Sequence, residues 1–148
     1  MDLAPDFDEF FNSLIAHGVE FLVVGAYALA FHGAPRFTGD IDVFVRPTLD
    51  NAERLLSALA AFGFPTDALR PQDLTNPDRI VQMGVLPVQI HVVSAISGVS
   101  WDEAWAGHET GRCGSNDLPF LGQRDFLKNK RASGRLRDLA DIEALGEE

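Results

Sequence analysis

The sequence predicts an α/β (α+β) fold: a small mixed β-sheet flanked by helices, with further helices toward the C-terminal end. Three observations carry this. Apolar residues recur at helical spacing in several stretches, short β-branched runs lie between them, and glycine or proline marks most boundaries. The elements read in the order α-β-α-β-α-ββ-α-α-α, the pattern of helices packed on a sheet.

Residues 7–17, FDEFFNSLIAH, place Phe7, Phe10, Phe11, Leu14 and Ile15 on one helical stripe. Asp6 is the expected N-cap, with Glu9 three residues on, and Gly18 the expected stop. EFLVVG reads as a buried strand that breaks at Gly25 into a small-residue helix, AYALAFHG, ending at Gly33. IDVFV is the next strand. A polar start at Pro47–Asp50 then opens a helix to about Ala61, with Leu55, Leu56, Leu59 and Phe62 among its apolar positions. Residues 64–78, punctuated by prolines and asparagines, read as loop with room for one helical turn. RIVQMG and PVQIHVV read as two strands joined near Gly84–Pro87, and WDEAWAG as a short helix. GRCGSND reads as a turn and DLPFLG as a short edge strand or loop. RDFLKNKRASG and RLRDLADIEAL are two helices broken at Gly134. They are expected either to pack on the sheet or to extend from it.

The chain has 148 residues, which predicts one domain over residues 1–148 with a C-terminal helical extension at about 122–146. No apolar run approaches the roughly 20 residues that span a bilayer, and the acidic start MDLAPDFDEFF does not read as a signal or transit peptide. The single cysteine, Cys113, allows no internal disulfide, so a reducing, cytoplasmic setting is expected. The net charge of −10 argues against a broad nucleic-acid groove. Six of the twelve Lys and Arg residues nevertheless fall between Arg124 and Arg137, so this segment is either a solvated helix face or a local anion site.

The chemistry-bearing stretch is FTGDIDVFV, residues 37–45. Side chains alternate along a strand, so Asp40, Asp42 and Phe44 share one face and Ile41, Val43 and Val45 the other. Two carboxylates roughly 7 Å apart at Cβ repel one another unless a cation lies between them. Hard oxygen ligands suit Mg²⁺ or Mn²⁺, which take one or two carboxylates plus phosphate oxygens. Asp-x-Asp alone also occurs on solvated edge strands. Here a strand-Gly-helix unit precedes it, VVGAYALAFHG, and such a turn brings backbone N–H groups close to a phosphate. Phosphate and metal sites close together are what holds a nucleoside triphosphate.

VVGAYALAFHGAPRFTGDIDVFV resembles the signature of the polymerase-β type nucleotidyltransferase superfamily: a strand, a glycine pair opening a helix, a gap, then Asp-x-Asp on the next strand. The HG-x-x-R-x-T-x-DID form is similar to the bacterial branch associated with toxin–antitoxin and abortive-infection systems. WDEAW and RDFLKNKRASGRLRDLADIEAL resemble that branch's ending, and the likeness runs from about residue 18 to 146. It implies a nucleotidyltransferase fold. It also implies transfer of a nucleoside monophosphate from an NTP to a protein or RNA hydroxyl, with a divalent cation (Mg²⁺ or Mn²⁺), and a cognate toxin or antitoxin as a possible partner. Asp40 and Asp42 would be the metal ligands. Gly25 and Ala26 would form the phosphate-binding turn, and Arg36 and Thr38 would line the site. Lys128, Lys130, Arg131 and Arg135 would contact the triphosphate or an RNA acceptor, with Lys128 or Lys130 the favoured phosphate contact, and Asp138 and Asp141 would pair with neighbouring arginines. Ala26 departs from the second Gly or Ser of the pair but keeps its N–H.

A larger departure lies in VQIHVVSAISG. Where the family has a third carboxylate, in a stretch like VxIDLLTSIDG, this chain has His91. By alternation His91 shares a face with Gln89 and Val93 and can reach the carboxylates. It is either a catalytic residue, as third metal ligand for Mn²⁺, Zn²⁺ or Ni²⁺ rather than Mg²⁺ or as general base, or the mark of a module that binds without turnover. His32 is expected to be a helix C-terminal cap, and His17 and His108 surface residues.

Overall fold

A computed structural model of the chain describes residues 3–34, 39–85 and 88–147. Its elements are α1 (Pro5–Ala16), β1 (Phe21–Val24), α2 (Gly25–Phe31), β2 (Asp40–Val45), α3 (Leu49–Phe62), a 3-10 turn (Pro71–Leu74), β3 (Ile80–Val85), β4 (Val88–Val93), α4 (Trp101–Ala106), β5 (Glu109–Cys113), β6 (Asn116–Phe120), α5 (Gln123–Ser133) and α6 (Leu136–Ala144). The strands form one sheet in the order β3-β4-β2-β1-β6-β5. β2 and β4 run parallel, as do β1 and β6, and the other neighbours are antiparallel. The sheet is therefore mixed, as the sequence predicts.

Register assigns the faces. Val43 lies opposite Val23 on β1 and Val92 on β4, and Ile41 lies opposite Ile90. These residues and Phe21 are buried and form the core face. α1 and α3 cover it. Phe11 stacks on Phe21 at 5.6 Å, Phe10 meets Phe62 edge-on at 5.9 Å, and the Ser13 hydroxyl donates to the Ala58 carbonyl at 2.7 Å. Removing each such phenyl from water is worth on the order of 2 kcal/mol. α3 starts at Thr48, whose hydroxyl accepts from the Asn51 N–H, and stops at Gly63. Buried Asn51 stitches α3 to the sheet, donating to the carbonyls of Glu20 and Arg46 and accepting from the Glu20 N–H.

On the opposite face Trp101 of α4 meets Phe44 edge-on at 5.2 Å. Phe126 brings α5 into the core, and α6 packs back on α5 after the left-handed turn at Gly134. One C-terminal helix thus joins the sheet domain and the second leans on the first.

Two local expectations change. α1 begins two residues earlier than an Asp6 cap allows: Ala4 is the cap and Pro5 occupies the first turn, where its missing N–H costs nothing. GRCGSND is not only a turn. Its first half belongs to β5, which pairs with β6 around Gly114–Ser115, so β6 is an inner strand and β5 the edge. ETGRC offers no apolar alternation to read, since only Cys113 is buried. The turn expected between β3 and β4 includes residues 86 and 87, outside the described ones.

Candidate active site

Three adjacent strands bring the site together. Asp42 lies opposite Val24 on β1 and His91 on β4, so the residue after β1, Gly25, meets the same carboxylate. Gly25 has φ +68, a left-handed conformation. A Cβ there would overlap the Asp42 oxygen Oδ2, so glycine is required both by the turn and by the carboxylate pressed against it. Ala26, the next residue of α2, is buried and lines the same cleft.

The cleft has a volume of about 660 Å³. Gly25, Ala26, Asp40, Asp42 and His91 form one side, and Ile80, Val93, Ile96 and Ser97 line its sheet-edge end. Asn129, Lys130, Ser133, Arg135 and Arg137 form the opposite wall, from α5 and the start of α6. The Asn129 amide donates to the Ser97 carbonyl at 3.0 Å and fixes α5 to the segment after β4.

The carboxylates are half-buried, and the Asp42 Oδ1 and His91 Nδ1 are hydrogen-bonded at 3.0 Å. Burial pushes the Asp42 carboxyl above the ordinary carboxylate range. His91 pulls it back by charge and hydrogen bonding, the charge of Asp40 raises it further, and Lys130 lowers it. His91 Nε2 is buried and has no hydrogen-bond partner among the described residues.

This arrangement bears on the expected cation. Among the described residues no group of three or more His, Cys, Asp and Glu side chains is placed to hold a metal ion. His91 Nδ1 is engaged with one Asp42 oxygen, while its Nε2 is left without a partner among the described residues. Beside it stand two neighbouring carboxylates, one of them, Asp42, held against its own ionisation by burial and by the charge of Asp40. That fits a hard cation taking two protein oxygens and completing its shell with phosphate and water.

The remaining expected residues divide. Lys130 lines the cleft but is buried, with Nζ 3.2 Å from Asp138 Oδ1 and 3.4 Å from Asp141 Oδ2. Arg135 also holds Asp138, through Nε to Oδ2 at 2.7 Å and Nη2 to Oδ1 at 3.2 Å. Asp138 thus pairs with an arginine, as expected, and with Lys130 as well. Burial alone would raise the Asp138 pKa, but the hydrogen bonds and charges of Arg135 and Lys130 outweigh it and hold it at about 2. Lys128 does not line the cleft. It projects from another side of α5 and pairs with Glu103 of α4 at 2.7 Å. Arg36 and Thr38 lie outside the described residues.

The other histidines sit elsewhere. His32 is the C-cap of α2, and its Nε2 bonds the Leu121 carbonyl at 2.7 Å. His17 and His108 bond carbonyls of their own helices. Sequence reasoning did not single out Arg137, Asn129 or Ser133. The i, i+4 spacing of Asn129 and Ser133 and the charge run to Arg137 are the signals that could have marked them.

The six-stranded mixed sheet with helices on both faces is consistent with the nucleotidyltransferase fold that the sequence predicts. Among solved structures, that of a "putative nucleotidyltransferase" from Thermotoga maritima superposes with a TM-score of 0.62 over 95% of this chain and 88% of that one, at 14% identity. Neither a protein-family model nor a curated protein matches the sequence. No helix among the described residues is long and apolar enough to cross a membrane.

Proposed function

We propose that the chain is a metal-dependent nucleotidyltransferase, moving a nucleoside monophosphate from an NTP to a protein or RNA hydroxyl in a cytoplasmic toxin–antitoxin or defence setting. The observation that carries it is the contact between the Gly25 turn and the Asp42 carboxylate, inside a cleft that also holds Asp40 and His91. Mg²⁺ or Mn²⁺, when bound, would supply charge neutralisation for the phosphates. Asp40 and Asp42 would hold it, and the Gly25 and Ala26 amides would meet phosphate oxygens. In the transfer, the acceptor oxygen bonds to the α-phosphorus as the bridging bond to the β-phosphate breaks. Pyrophosphate leaves and the hydroxyl proton passes to a base. His91, oriented by Asp42, is the candidate for that proton.

Incubation with each labelled NTP, Mg²⁺ or Mn²⁺ and cell lysate tests this. Labelling of an acceptor by the wild type and its loss in Asp42→Ala is the expected result. Equal labelling by that variant would overturn the assignment.

A second reading rests on the His91–Asp42 hydrogen bond. His91 stands where the resemblance expects a third carboxylate, and this bond occupies one Asp42 oxygen. On this reading the chain binds nucleotide or a partner without turnover, pyrophosphate is released with neither cation, and His91→Asp creates activity.

A further inference from the structure

Among the described residues, three cationic side chains line the cleft: Lys130, Arg135 and Arg137. Two are committed elsewhere. The Lys130 ammonium is buried between Asp138 and Asp141, and the Arg135 guanidinium spends two hydrogen bonds on Asp138. Two cations against two carboxylates leave that group with no net charge. Arg137 differs. It is exposed, and among the described residues its guanidinium has no ion pair or hydrogen bond. It therefore sets the sign of the wall that faces Asp40 and Asp42.

Its placement is fixed as well. Arg137 lies in the first turn of α6 beside Asp138, which is 0% exposed and bonded to both Lys130 and Arg135. The backbone carrying Arg137 is thus anchored by the neutral cluster, while the guanidinium keeps all its donors for a ligand. A cleft with two carboxylates on one side and one unpaired guanidinium on the other suits a polyanion that arrives with a divalent cation. The cation meets the carboxylates and a phosphate meets the fork of N–H donors.

We infer that Arg137 is the cationic side-chain contact for polyphosphate in the cleft, with Lys130, Asp138 and Asp141 as its positioning group rather than as ligand contacts. The inference rests on the nucleotidyltransferase reading and deepens it. The resemblance of RDFLKNKRASGRLRDLADIEAL to the branch's ending assigns Arg137 no role.

Calorimetric titration of the full chain with inorganic tripolyphosphate in Mg²⁺ tests the inference, using the wild type, Arg137→Gln, Arg137→Lys and Arg124→Gln. Arg124 is an exposed α5 cation outside the cleft and controls for the change in net charge. Arg137→Gln should weaken binding about ten-fold or more, the usual range for a lost charged hydrogen bond. Arg137→Lys should fall between, and Arg124→Gln should stay within about two-fold of wild type. Wild-type affinity in Arg137→Gln, or equal losses in Arg137→Gln and Arg124→Gln, overturns the inference and leaves the nucleotidyltransferase reading standing. A wild type that binds no tripolyphosphate and labels no acceptor from any NTP overturns both.

Discussion

Replacing Gly25 by alanine tests the geometry at the centre of the site. Two costs are built in. An L-residue at φ +68 pays about 1–2 kcal/mol. The added Cβ also overlaps Asp42 Oδ2, so the carboxylate must swing away and give up its bond to His91 Nδ1, worth about 1.5–3 kcal/mol for a charged partner. Gly25→Ala should therefore destabilise the fold by roughly 3–4 kcal/mol, measured by urea unfolding with a shared slope. The same substitution in an Asp42→Ala background isolates the first cost. The Asp42 Oδ2 and Cγ are then gone, and the nearest remaining atom is the residue-42 Cβ at 3.1 Å, which a shift of a few tenths of an ångström accommodates. There Gly25→Ala should cost only about 1–2 kcal/mol, leaving a coupling energy of about 2 kcal/mol between the two positions. Equal costs in both backgrounds would refute the claim that the turn is pressed against the carboxylate.

Asp138 sets an acid limit. Its folded pKa of about 2 lies below the unfolded value of 3.8, so its stabilisation is fully present above about pH 4 and is lost as the pH falls toward 2. The loss should be about 2 kcal/mol, and urea unfolding at stepped pH should show Asp138→Asn lacking that slope. Asn51→Ala removes three hydrogen bonds and leaves the Glu20 N–H and the Glu20 and Arg46 carbonyls without their partner, so it should cost about 2–4 kcal/mol in the same assay. Mg²⁺ or Mn²⁺ at saturating concentration should raise the thermal midpoint of the wild type and not that of Asp40→Ala/Asp42→Ala. An equal rise in both would count against the carboxylate pair as the cation site.

The core and half of the cleft were legible because they are encoded locally. Period-2 alternation in DIDVFV determines which side Asp40 and Asp42 take, and the heptad-like spacing of Phe7, Phe10, Phe11 and Leu14 determines the buried stripe of α1. β5 was missed because an edge strand with one buried side chain carries no apolar period. The cationic wall was seen as a charge run but not resolved into members. Whether a lysine points at a cleft, at Glu103 or at a pair of buried aspartates depends on where α5 docks, and spacing within α5 does not set that. The His91–Asp42 hydrogen bond likewise depends on β2 and β4 being parallel neighbours, a pairing between segments far apart in the chain.

That separation has a consequence for biosynthesis. The carboxylate side of the cleft is complete once β4 has left the ribosome and paired with β2, but the facing wall does not exist until α5 and the start of α6 have followed. A nascent or nicked chain ending before Gly134 would carry the carboxylate half of the site without Arg135 and Arg137 opposite it. The order of synthesis thus withholds the assembled cleft from any fragment short of α6, whatever part of the carboxylate side that fragment already contains.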